Sequence, residues 1–403
     1  MTKPEIPSDW SSVLLGEIAT VSRGASPRPI ASSRWFSDSS NVGWVRIADL
    51  GRSDGLTLLT TTQRLSPDGV ARSRFLQPGS LIMSIAATVG LPIITGIPAC
   101  IHDGFVALER LRGANKNFLL YALKAGESEL RSAGQTGSQS NVNTAIVKGL
   151  RIALPPEPEQ ERIAEVLADV DRLISSLNRV IAKKKAIKQG VMQQLLTHRA
   201  DRADMTSLGS VTSWLSGGTP NRSNTSYWSG DIPWISATTL KKLEAATSDQ
   251  LVTPAAVKAG SKMAPLGSTL LLVRGSALHS EIRASLVTGT VCFNQDVKAL
   301  VPSRNLVPKF LTYSIHGNAD RLLRLVTSAG NTAGVLDTQV VKNFQIWMPD
   351  RSEQQRLVTL LDDISSEIDV LVSRLVKVTA AKQGMMQELL TGRTRLQSAE
   401  VTP

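Results

Sequence analysis

The chain has 403 residues, 42% apolar and 20% charged, so it is not a disordered chain and is too long for one ordinary domain. Lysine and arginine number 45 against 34 acidic residues, a formal charge of +11, and the isoelectric point lies near 9.8. Such a surplus suits a polyanionic partner such as nucleic acid, or serves solubility alone.

The opening MTKPEIPSDW lacks a basic-then-apolar export signal, and a cytoplasmic setting is expected. Residues up to 153 read as a globular α+β domain. Short aliphatic runs such as GWVRIADL and SLIMSIAATV alternate with Gly, Pro, Ser and Asn clusters. The uncharged run 81–101 is long enough to cross a bilayer, but Gly90, Pro92, Gly96 and Pro98 cut it into strand-sized pieces. A helix is expected over Asn117–Leu130.

Residues 154–200 form the first long helix. Ile163, Leu167, Val170, Ile174, Leu177 and Ile181 follow 4-3-4-3-4 spacing, the seam of a coiled coil. Pro155, Pro156 and Pro158 stop the preceding strand, and Glu157, Glu159 and Glu161 suit a helix start. From 159 to 197 it would be about 60 Å long.

Residues 201–347 and 348–396 then repeat the first half, leaving 397–403 as a tail. EQERIAEVLADVDRLISSL (159–177) aligns without a gap to EQQRLVTLLDDISSEIDVL (353–371), and KQGVMQQLLT (188–197) returns as KQGMMQELLT (382–391). Upstream, VSRGASP pairs with LSGGTP, WVRIADL with WISATTL, and FLLYALK with FLTYSIH, which places a helix over Pro308–Leu325. The second seam is Leu357, Leu361, Ile364, Ile368, Leu371 and Leu375, with Ser352 and Gln355 reading as a capping box.

Each helix carries one apolar seam and no neighbour in sequence. The two seams can bury each other as an antiparallel coiled coil, making an α+β molecule of pseudo-two-fold symmetry with two globular domains and two long helices. Alternatively each helix packs on its own domain. Gly190 and Gly384 each cost about 1 kcal/mol against Ala in a helix; their repetition predicts close backbone approach there, or else a break in the helix.

Cys100 and Cys292 occupy equivalent places and read as small core residues rather than a disulfide framework. The four histidines have no metal-ligand spacing, and phosphate-loop, GxSxG, methyltransferase and nuclease patterns are missing. No catalytic residue and no metal ligand is therefore expected. What remains is basic and polar: Arg23, Arg28, Arg34 and Arg46 in the first domain, and Arg222, Lys241, Lys242, Arg274 and Arg283 in the second. Gln139 and Asn141 lie in GQTGSQSNVN, with Asn331 and Thr332 in the matching SAGNTAG. Arginine reads guanine or phosphate, and amides read adenine, so these form the candidate DNA-binding set; a solvated surface is the competing reading. Lys183, Lys184, Lys185 and Lys188 on the first helix face a DNA backbone or simply solvent.

The domain–helix–domain–helix order, LSGGTPNRSNTSYWSGDIPWIS (215–236), the LPPEPEQERIAEVL and MPDRSEQQRLVTLL segments and both KQGxMQxLLT endings resemble the DNA specificity subunit of type I restriction-modification systems. The resemblance covers essentially the whole chain. The first domain departs from it in RGASPRPIASSRWFSDSSNVGWVRI, which keeps the outline with different basic residues. The resemblance implies two target-recognition domains that each read one half-site, and a helical ruler that sets the spacer. It also implies no catalysis on this chain. Two methyltransferase subunits and a motor-endonuclease subunit would be partners, and S-adenosylmethionine, ATP and magnesium would belong to them. A coiled-coil adaptor without DNA, or a recognition half with a catalytic activity of its own, are the rival readings.

Overall fold

The computed structural model describes residues 6–133, 142–197, 204–329 and 333–396. The chain divides into two compact units, Met1–Arg179 with Ser373–Pro403, and Val180–Val372. Each unit holds one globular lobe and a half of each long helix.

In the first unit a five-stranded sheet runs in the order Thr20–Arg23, Phe105–Glu109, Leu81–Ser84, Pro92–Thr95, Thr57–Leu58. A four-stranded sheet, in the order Gln63–Arg64, Gly43–Val45, Ala99–Ile101, Arg74–Leu76, lies next to it. The uncharged run thus becomes three strands, and among the described residues no helix is long and apolar enough to cross a membrane. The inner strands Leu81–Ser84 and Phe105–Glu109 of the larger sheet are buried on both sides, so their sequences read as near-continuous apolar runs. Alternation still sorts the faces. Leu81, Met83, Val106 and Leu108 pack on the helix Lys116–Ala125, while Ile82, Ile93, Phe105 and Ala107 meet Val45, Ala99 and Ile101 of the smaller sheet. A separate cluster of Trp35, Trp44, Leu65 and Cys100 completes the smaller sheet. Burial pushes the Cys100 thiol up to about 11, which suits an inert core residue.

The second unit repeats this plan. Its five-stranded sheet runs Thr212–Ser216, Val297–Pro302, Thr269–Leu272, Ala284–Val287, Glu244–Ala245. Its four-stranded sheet runs Leu251–Val252, Ile232–Ile235, Cys292–Phe293, Lys262–Met263. Even the parallel pairings recur: Trp44 lies opposite Cys100, and Trp234 opposite Cys292. A three-stranded sheet, Arg274–Gly275, Ala333–Val335, Thr327–Ala329, is described only here. The single helices expected over Asn117–Leu130 and Pro308–Leu325 are each two pieces. Lys116–Ala125 is followed by Glu127–Ala133, and Pro308–Gly317 by Ala319–Leu323; the breaks fall at Gly126 and Asn318.

The long helices span Glu157–Leu196 and Arg351–Leu389. Buried Gln160 ties the first to its lobe. Its amide donates to Gly113 O (3.0 Å) and Pro155 O (2.8 Å), and its carbonyl accepts from Asn115 N (2.7 Å). Gln354 makes the same three bonds, to Asn305 O (3.1 Å), Pro349 O (2.8 Å) and from Val307 N (2.8 Å). The second helix is capped by Asp350, whose Oδ1 accepts from Glu353 N at 2.9 Å and from the Ser352 hydroxyl at 2.7 Å. The expected capping box of Ser352 and Gln355 therefore gives way to the residue before the helix.

Within each unit the two helix halves run antiparallel. Glu159 bonds Arg395 and Asp171 bonds Lys382 in the first; Lys184 bonds Glu367 in the second. Ile163, Leu167, Leu177, Ile181, Leu357, Leu361 and Ile368 are buried, and Val170, Ile174, Ile364, Leu371 and Leu375 are partly so. The seams also serve the lobes. Ile163 and Leu167 join Leu389 and Leu390 in the first core, and Leu357 and Leu361 join Met192 and Leu196 in the second. Both KQGxMQxLLT segments are thus docking ends, carried by their Met and Leu residues.

Gly190 and Gly384 do not belong to that packing. Both are exposed, and a Cβ on either would meet nothing within 4 Å among the described residues. The expectation of close backbone approach is overturned, because the docking face is turned by its apolar side chains and leaves the glycine on the outer side. The helices also run unbroken through both positions.

Candidate nucleic-acid interface

The outer loops of each lobe converge beside the smaller sheet. In the first unit, strand Thr20–Arg23 leads into RGASPRP, while Ala99–Ile101 leads into His102 and Asp103. Backbone bonds from Gly24 N to Phe105 O (2.9 Å) and Ala25 N to Ile101 O (3.1 Å) press the loops together. A Cβ at Gly24 would sit 2.1 Å from His102 O, so only glycine fits. Gly217 repeats the constraint, 2.2 Å from Asn294 O.

Asp103 organises the basic residues. Its Oδ1 accepts from the Ser26 hydroxyl (2.9 Å), its Oδ2 from Arg28 Nη2 (3.0 Å), and its backbone oxygen from Arg23 Nε (2.8 Å). Burial works against ionisation, but the Ser26 hydroxyl and the Arg28 guanidinium hold the carboxyl below the usual carboxylate range. His102 Nδ1 lies 3.5 Å from Asp103 Oδ1, yet it accepts from Gly104 N at 2.7 Å and so carries no proton there. Burial pushes this imidazole below its ordinary value, and the Arg46 charge adds to the effect against Asp103 and Asp49. Exposed Arg46 donates to Gln63 Oε1 at 3.1 Å. Arg23, Arg28 and Arg46 are therefore brought to one loop cluster. Arg34, on the adjacent turn Ser33–Trp35, lies 4.3 Å over the Trp35 ring and pairs with Asp68 at 3.1 Å.

The second unit keeps the frame and changes the chemistry. Thr219 Oγ1 donates to Gln295 Oε1 at 2.6 Å, where Ser26 and Asp103 stand in the first. Arg222 lies 4.9 Å over Trp228 and 5.2 Å over Trp234, and these rings meet edge to face at 5.1 Å. Arg274 is exposed on its short strand. Arg283 is instead committed internally: Nη1 donates to Ala237 O at 2.6 Å and Nε to Glu281 Oε1 at 2.8 Å. Lys241 and Lys242 lie apart from this loop cluster, beside Lys185 and Lys188 of the long helix. Gln139, Asn141, Asn331 and Thr332 fall outside the described residues.

Asp103, Ser26, Gln295 and Thr219 were missed by reasoning from basic residues, although aligning GASP with GGTP and IHDG with FNQD marks the positions. Exposed ion pairs such as Arg28–Asp103 and Arg34–Asp68 are worth about 0–1 kcal/mol, so a phosphate or base edge can take these guanidinium groups over at small cost. Among the described residues no three His, Cys, Asp or Glu side chains gather where a metal could bind.

A family model described as type I restriction modification DNA specificity domain matches residues 7–189 and again 202–379. The type I restriction enzyme EcoR124I/EcoR124II specificity subunit of Escherichia coli is 27% identical over 243 residues, covering 59% of this chain and 60% of that relative. The chain thus aligns with less than two thirds of the relative's length. A chain from a structure concerned with complex assembly and conformational transition of the type I R-M system superposes with a TM-score of 0.66 at 17% identity, covering 97% of this chain and 100% of the other. The S subunit of the type I restriction-modification system of M. genitalium gives 0.56 at 13% identity, covering 96% and 99%. At these identities the likeness to solved structures is one of fold.

Proposed function

Because the chain belongs to the type I restriction-modification DNA specificity family, we propose that it is the sequence-specific DNA-binding subunit of such a system and reads a bipartite target. Each lobe takes one half-site through its outer loops. The observation that carries this reading is the pair of equivalent loop clusters, one built on Arg23, Arg28, Arg46 and Asp103 and the other on Arg222, Thr219 and Gln295. The same frame holding different donors and acceptors is what two different half-sites require. The paired helices set the spacer and dock two methyltransferase subunits, with a motor-endonuclease subunit joining for cleavage. The chain carries no catalysis of its own. S-adenosylmethionine, ATP and magnesium are assigned to the partners, and the assembly works in the cytoplasm.

Expressing the chain with its methyltransferase and mapping the methylated positions on cellular DNA tests the reading. A bipartite site is expected, and exchanging residues 1–153 for the corresponding lobe of a relative should change one half of it. An unchanged methylated sequence after the exchange would overturn the assignment of half-sites to lobes. Methylation or cutting by the purified chain alone would overturn the assignment of chemistry to the partners.

A further inference from the structure

The lobes close on the long helices through a tyrosine and an aspartate in both units, but the lysines differ. In the first unit Tyr121 donates to Asp171 (2.9 Å), and Lys382 reaches the same carboxylate at 2.7 Å with both side chains largely shielded. In the second, Tyr313 donates to Asp362 (2.6 Å), but Lys309 takes that carboxylate at 3.0 Å and also reaches Glu244 at 3.2 Å. Lys188, the counterpart of Lys382 in the KQG repeat, lies 5.5 Å over the Tyr313 ring as Lys382 lies 5.6 Å over Tyr121, but it is Lys309 and not Lys188 that pairs with the aspartate. Lys309 stands where the first copy has Asn117, and His316 stands where the first copy has Lys124 beside Lys382, so the lysines around the aspartate are rearranged between the units.

Lys188 lines a cavity of about 240 Å³ with Lys185, Lys241 and Lys242, and Gln189, Tyr313 and His316 are in its wall. His316 adds no compensating charge: its Nε2 lies 2.9 Å from Ala284 O, and burial pushes the imidazole below its ordinary value. The carboxylates acting nearby are Asp362, Asp369 and Glu244, with Asp249 beside Lys241 and Lys242; because Lys309 already occupies Asp362 and Glu244, Asp369 and Asp249 remain for the four cavity lysines. Four lysines lining one half-enclosed space give it a positive potential, and an ammonium binds phosphate as a point charge. We propose that this cavity binds a phosphate group, held by Lys185, Lys188, Lys241 and Lys242. Among the described residues the first unit has no such site, since Lys382 is neutralised by Asp171 and Thr379 stands where Lys185 is in the second. Two sources carry this chemistry, a backbone phosphate of DNA and a small phosphorylated molecule.

Calorimetric titration of the full chain with inorganic phosphate, at ionic strength held constant with chloride, tests the site. Saturable binding is expected, weakened about tenfold by K188Q and again by K241Q/K242Q. Lys241 and Lys242 are exposed, so their double variant should keep the fold, checked by circular dichroism. The same loss in K183Q, which removes an exposed charge outside the cavity, would reduce the effect to general electrostatics and overturn the site, as would absence of saturable binding to the native chain. Duplex DNA is then added to the phosphate-loaded chain while anisotropy reports DNA binding and phosphorus NMR reports free phosphate. Release of phosphate assigns the site to the DNA backbone, and retention with DNA bound assigns it to a small phosphorylated molecule. Phosphate binding with no DNA binding would leave this site standing and sink the proposed function instead.

Discussion

Gln160 and Gln354 make the same three backbone bonds where each lobe meets its long helix, whereas Asp103 and Gln295 hold equivalent outer-loop places with different chemistry. At the helix junction, backbone groups withdrawn from water need partners of fixed geometry, which leaves little choice of side chain. In the outer loops only the backbone approach at Gly24 and Gly217 is fixed, and the side chains above it are free to differ. A lobe of this kind can change what it reads without disturbing what holds it to the helices.

The comparison breaks first at the glutamines. Q160L and Q354L should each cost about 3 kcal/mol in chemical denaturation, since each leaves buried backbone groups unpaired. A much smaller cost at one of them would deny that the junctions are equivalent. In the outer loops the expectation is the reverse. The triple variant R23Q/R28Q/R46Q should weaken DNA binding on the order of thirtyfold, about 2 kcal/mol, and flatten the salt dependence by about 0.9 in log–log slope for each phosphate it no longer neutralises. Its unfolding free energy should move by less than about 1 kcal/mol, because these ion pairs are exposed.

The segment after the second helix sharpens the comparison through pH. Arg395 bonds Glu159 at 2.8 and 2.9 Å and Asp9 at 2.6 and 2.9 Å, while Trp10 donates to Glu159 at 3.1 Å. The Arg395 guanidinium, helped by Trp10 and outweighing burial, holds the Glu159 carboxyl below its ordinary 4.5, and Arg395 likewise holds Asp9 below 3.8. A carboxylate whose native value is depressed adds stability that is present above its ordinary value and is lost as pH falls through the native one. Melting temperature should therefore drop on acidification below about 4.5, and R395Q should flatten that drop while lowering stability at neutral pH. An unaltered acid limb would show that this contact contributes nothing. The smallest effect is expected at the exposed glycines. G190A and G384A should each raise stability by about 0.5–1 kcal/mol, because helix propensity improves and no neighbour is touched. Destabilisation in the isolated chain would restore the close-packing reading.

The repeat, the long helices, their apolar seams and the α+β texture of the lobes were legible from one sequence, because each is a periodicity or a gapless internal alignment, and hydrophobic spacing reports a buried face directly. The family resemblance rested on the same repeated segments. The candidate interface was legible only as residue types. Arg283 looks as available in sequence as Arg23, yet Glu281 and the Ala237 carbonyl claim it, while Asp103 draws Arg23 and Arg28 into one cluster. Lys188 and Lys382 are the same letter in the same repeat; a Lys at 309 rather than an Asn decides which of them keeps its aspartate. The glycines of KQG were read for their cost, but only the packed helix reveals which side of it they occupy. Local patterns fix what a segment can bury. Which cation meets which carboxylate depends on distances between segments far apart in the chain, and those exist only once the lobes have closed on the helices.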